Sequence, residues 1–125
     1  FMEFIYIISK TLIAIVAIEH LFILWMEMFA WETAGKKTFK SLPKDLFTPT
    51  KGLAANQGLY NGFLIAGLIW SFLIENHEWS CNIRLFFLGC ITVAGIFGGI
   101  TSGKKIFFIQ GIPALITMLF VFLTK

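Results

Sequence analysis

Apolar residues fall in four long runs, at about 5–31, 53–74, 83–101 and 106–123. Each run is near the ~20 residues that a helix needs to cross ~30 Å of hydrocarbon. The third and fourth are short, and Ser102-Gly103 followed by Lys104-Lys105 separates them. One continuous helix across that point would bury both lysines, so the pattern predicts a tight helical hairpin. The expected architecture is an all-α membrane protein, a single four-transmembrane-helix bundle over residues 1–125. Residues 32–52 read as a long polar loop broken by Pro43 and Pro49. Residues 75–82 read as a short acidic connection that includes Cys81.

Composition agrees with a membrane solvent. The chain is 58% hydrophobic and 14% charged, with a mean hydropathy of +0.83. Soluble domains sit near about 45–50% apolar and about 25% charged. The net charge of +3 is modest, and the lysines lie beside apolar runs. A nucleic-acid partner is therefore not expected, because that function wants a basic face on a soluble body. Membrane lipids are the expected contacts. The two cysteines, Cys81 and Cys90, form no CxxC pair, and Cys90 reads as a small buried hydrophobe. Phe1 ahead of Met2 reads as an addition to the natural start. The first run is too long, and too rich in internal charge, for a cleaved signal peptide.

Basic residues set the orientation. Lys36, Lys37, Lys40, Lys44 and Lys51 share the first loop, and Lys104 and Lys105 the third. The positive-inside rule puts both loops in the cytoplasm, with both termini outside. The expected location is a bacterial cytoplasmic (inner) membrane.

Ionisable and amide side chains inside hydrocarbon are costly without partners, so their positions carry the most information. The first span holds Glu19, His20 and Glu27. His20 and Glu27 are seven apart and share a face, with Glu19 about 100° around. The second span opens AANQGLYNGF. Asn56 and Tyr60 are four apart, as are Gln57 and Asn61, which places all four on one side. The fourth span has Gln110 before Gly111 and Pro113, and Pro113 frees a carbonyl near Ile109. At 1.5 Å per residue, Glu27 lies about 6 Å and His20 about 16 Å from the inner boundary. Asn56–Asn61 lie about 5–12 Å in, and Gln110 about 6 Å. The expectation is an inward-facing polar pocket formed by these residues. The bland alternative is a hydrogen-bond network that only joins helices. Gly58 and Gly62 form a GxxxG, and the third span carries Gly89, Gly95, Gly98 and Gly99. Both faces suit close helix contact, within the chain or in a homodimer.

No metal or cofactor is expected. The spacing is not HExxH, His20 is alone among the apolar spans, and a di-metal bundle would need paired Glu-x-x-His motifs. No serine nucleophile elbow or phosphate loop is present.

The strings AIEHLFILWMEMFAW, LAANQGLYNGFLIAGLIW, LFFLGCITVAGIFG and FIQGIPALI resemble a family of small bacterial membrane proteins, domain of unknown function 1304. The resemblance runs from about residue 13 to residue 119 and implies a four-helix integral membrane protein without an assigned activity. The matching strings contain Glu19, His20, Glu27, Asn56, Gln57, Tyr60, Asn61 and Gln110.

Three functions are compatible with these residues. The first is small-ligand binding or transport gated by Glu19 or His20, with a homodimer completing any path. The second is a membrane-embedded enzyme on a lipid-like substrate, with His20 and Glu27 (and Glu19 beside them) as acid–base candidates. The third is a structural or accessory protein.

Overall fold

The computed structural model describes residues 1–125 and is all-helical in its regular structure, without strands. The long helices are α1 (Met2–Phe29), α2 (Lys51–Leu73), α3 (His77–Thr101) and α4 (Lys104–Thr124). Three of them, α1, α3 and α4, are long and apolar enough to cross a membrane. At 23 residues α2 has the length, but Asn56, Gln57, Tyr60, Asn61 and its glycines dilute its apolar character. In the most apolar stretches of α1, α3 and α4 only 22%, 28% and 22% of the residues are buried. So much uncovered apolar surface is consistent with a membrane location, because soluble monomers rarely expose contiguous apolar patches of that extent.

The chain divides into two compact units, residues 18–65 and residues 1–17 with 66–125. In the first unit, α1 ends where Ala30 leaves helical geometry at φ −139°, ψ 29°. The loop that follows has an apolar anchor of its own. Phe47 is fully buried, its ring centroid 4.8 Å from that of Trp31, and Phe39 packs at a tilt against Trp31 at 5.5 Å. The Trp31 indole N–H donates to Thr50 Oγ1 at 3.0 Å. Glu32 accepts from the Thr48 hydroxyl at 2.8 Å and pairs with Lys51 at 3.2 Å. The Thr48 hydrogen bond, then Lys51, holds the Glu32 carboxyl below the usual carboxylate range. Further along, α2 approaches α1 closely at Gly58. A Cβ there would lie 2.6 Å from Met28 Cγ and 3.2 Å from the Leu24 carbonyl.

In the second unit, α3 starts at His77, six residues before the apolar run that revealed it. Asn76 caps it by accepting from the Trp79 N–H at 3.0 Å. The connection expected over residues 75–82 therefore shortens, and Cys81 is a fully buried helical residue. Its apolar run was cut short because the first two turns carry His77, Glu78, Ser80, Asn82 and Arg84. The reversal after α3 uses Gly103 at φ 140°, a conformation that side chains other than hydrogen resist. Beyond it, α3 and α4 pack backbone to backbone, since a Cβ on Gly95 would sit 2.5 Å from the Gly111 nitrogen. Thr92 donates to its own helix at Leu88 O, 2.8 Å away.

Pro113 acts through register. The residues just before it, Phe107–Gly111, form a π-turn, and the Ile112 N–H bonds to Phe107 O. A proline removes one donor from the ladder, and a widened turn is one way to redistribute the carbonyls it frees.

Candidate functional site

Within residues 18–65, α1 presents His20 and Glu27 seven residues apart, two turns along one face. Both are buried, at 1% and 8% exposure. The Asn61 amide of α2 donates to Glu27 Oε1 at 2.8 Å. This bond sits beside the Gly58 approach, since a Cβ on Gly58 would also meet Glu27 Cβ at 3.1 Å. The small residue thus lets an amide from one helix reach a carboxyl on the other. Only one carboxyl oxygen is engaged, which leaves Oε2 without a protein donor.

Glu19 is half-buried, and its Oε1 lies 4.0 Å from His20 Nδ1. That is ion-pair range but too long for a hydrogen bond. The same oxygen is buried and has no hydrogen-bond partner. The unit therefore holds two carboxyl groups and an imidazole on one helix, with one carboxyl oxygen tied to an amide. Such groups can accept, hold and release a proton, or orient a small polar molecule.

The other expected residues divide. Asn56, Gln57 and Tyr60 lie on the exposed surface of α2, and Tyr60 packs on Phe63 with ring centroids 5.9 Å apart. Asn61, half-buried, is the member of that group that meets Glu27. Gln110 belongs to the other unit, half-buried in the π-turn of α4. Of the glycines expected to serve close helix contact, within the chain or in a homodimer, Gly58 and Gly62 face α1 and Gly95 faces α4. An open apolar groove of about 760 Å³ runs along α3 past Phe86, Gly89, Cys90 and Ala94. Apart from the Cys90 thiol its lining is wholly apolar.

Sequence reasoning missed one polar residue of note. Arg84, outside the expected site residues, is buried in α3 beside Ser71. The available signal was its position eight residues beyond the Asn76 cap, well inside the helix.

Comparison with known proteins places the sequence but assigns no activity. The profile of a family described as "protein of unknown function (DUF1304)" matches residues 14–122. The "uncharacterized protein YpaA" of Lactococcus lactis subsp. lactis (strain IL1403) is similar, with 30% identity over 115 residues. That match spans 90% of this chain and 95% of the relative. No solved structure matches the chain. Matched over most of its length, from the Glu19–His20 pair through the Gly111–Pro113 segment, the chain belongs to the DUF1304 family.

Proposed function

We propose that this protein is a four-span protein of the bacterial cytoplasmic membrane whose α1–α2 unit binds and moves a small polar ligand or a proton. In this reading α2 is the fourth span. Its 23 residues extend about 34 Å at 1.5 Å per residue, enough for the hydrocarbon core. Its amides lower its hydropathy, but an amide paired across helices costs far less in lipid than a free one. The lysine-rich first loop faces the cytoplasm and both termini face outward. Lipids surround the uncovered helix faces.

The observation that carries the reading is the buried Glu27 carboxyl held by Asn61 on the same helix face as His20. A carboxyl group in lipid is expensive to keep, and an ionisable intramembrane residue is by default a working residue. Glu27 is the binding group, Asn61 orients it, and His20 and Glu19 continue the path along α1.

The test uses purified protein in liposomes with an entrapped pH-sensitive dye and an imposed proton gradient. The wild type should dissipate the gradient at a protein-dependent rate. Glu27→Gln, which keeps the shape and an amide for hydrogen bonding, should abolish that flux while its thermal unfolding in detergent stays close to wild type. Flux that is equal in Glu27→Gln and wild type rejects the assignment. A change in unfolding alone makes Glu27 a structural residue.

A further inference from the structure

Arg84 differs from the other long cations of the chain. It is 2% exposed, whereas every lysine is half-buried or exposed. It sits inside the unit of residues 1–17 and 66–125, where the end of α2 and the start of α3 form a hairpin. Its Nε donates to Ser71 Oγ at 3.2 Å. The Ser80 hydroxyl donates to the Ser71 carbonyl at 2.7 Å and ties the two helices at the same level. The guanidinium carbon lies 4.6 Å from the Phe72 ring centroid and 6.0 Å from that of Tyr6. One terminal nitrogen, Nη1, is buried without a hydrogen-bond partner.

No carboxylate completes this arrangement. The ion pairs of the chain are Glu19 with His20 and Glu32 with Lys51, both in the other unit. Glu75 and Glu78, next to the hairpin turn, are exposed. His77 is committed to the Thr124 carbonyl at 2.6 Å. A buried lysine can shed its proton to escape the cost of burial, but a guanidinium cannot. Two ring faces and one hydroxyl offset part of that cost, and the outer edge of the guanidinium fork still lacks an acceptor. A second cation contacts the same ring, because the Lys10 ammonium is 4.5 Å from the Tyr6 centroid. Tyr6 and Lys10 are both half-buried and give the cluster an edge at the surface.

We propose that Arg84, with Ser71 behind it and Lys10 on the shared Tyr6 ring, is an anion site for a phosphate group. The fork of arginine matches phosphate oxygens with two parallel hydrogen bonds, and the ammonium adds charge without geometry. Exposed Trp79 and Trp70 flank the hairpin in sequence, and tryptophans at helix ends mark headgroup level in membrane proteins. The phosphate is carried by a lipid headgroup or arrives free. The site shares no residue with the Glu27 cluster and stands independently of the transport reading.

The test takes the full chain, stripped of lipid in detergent, with two probes: inorganic phosphate, followed by thermal shift, and phosphatidylglycerol, followed by native mass spectrometry. Binding of either probe to wild type, weakened about tenfold or more in Arg84→Gln, supports the site, as expected on losing charge-assisted hydrogen bonds. A response to phosphatidylglycerol alone identifies the lipid as source, and a response to inorganic phosphate identifies the free anion. Arg84→Lys keeps the charge without the fork and should bind several-fold more weakly than wild type, which serves if Arg84→Gln does not fold. The proposal is overturned if neither probe binds the wild type, or if the variants bind as tightly as the wild type.

Discussion

The approach of α1 to α2 at Gly58 and that of α3 to α4 at Gly95 use the same device against different neighbours. At Gly95 the opposing atoms are the backbone of Gly111, and no ionisable group takes part. At Gly58 they are the side chains of Met28 and Glu27 and the Leu24 carbonyl, and a carboxyl–amide hydrogen bond lies alongside. At Gly95, small residues let the α3 and α4 backbones meet with no ionisable group at the point of closest approach. A close approach of two helices in this chain therefore does not by itself call for a carboxyl group. Interhelical hydrogen bonds in membranes contribute about 0.6 kcal/mol on average, less than it costs to withdraw a carboxyl group from water. That imbalance separates a candidate working residue from a merely cohesive one.

The sharpest way to break the contrast is to fill both gaps. Gly95→Ala meets unyielding backbone and should lose stability at the upper end of the about 1–3 kcal/mol range for overpacking, read by thermal unfolding in detergent. Asn61→Ala should come next. It strands a buried carboxyl oxygen, at a cost of about 1–3 kcal/mol, unless a proton or water takes the place of the amide. Gly58→Ala should cost less, near about 1 kcal/mol, because the nearest atom belongs to the flexible Met28 side chain. If Gly58→Ala proved as damaging as Gly95→Ala, the two approaches would be equivalent and the argument for Glu27 would weaken.

The smallest effect concerns the loop beyond α1. Folding lowers the Glu32 pKa, so its contribution to stability is present above the ordinary carboxylate pKa and fades as pH falls through the lowered value. Trp31 fluorescence, with the other tryptophans replaced by phenylalanine, should report loosening of the loop in that acid window. Thr48→Val removes the larger cause of the shift and should move the transition to higher pH. An unchanged transition would mean that Glu32 does not anchor the loop.

Periodicity and hydropathy disclosed the helices because span length and the lysine breaks are local properties. The start of α3 was hidden since a capping asparagine followed by polar turns reads as a loop on any hydropathy measure. The Trp31–Phe47 anchor was hidden for a related reason: isolated aromatics in a lysine-rich stretch give no period. Within the polar group, spacing put Asn56, Gln57, Tyr60 and Asn61 on one side, but which of them meets Glu27 depends on where Gly58 sets the approach. Arg84 escaped notice because orientation counting treats every cation as a surface charge.

The reversal at Gly103 has a consequence for biogenesis. It joins α3 and α4 through a glycine-only conformation and leaves Lys104 and Lys105 exposed at the bend. A hairpin already closed at Gly95–Gly111 satisfies its own backbone and keeps its lysines at one end, so it is suited to enter a bilayer as a single preassembled element. The Asn61 amide of α2, by contrast, has its partner on another helix, α1.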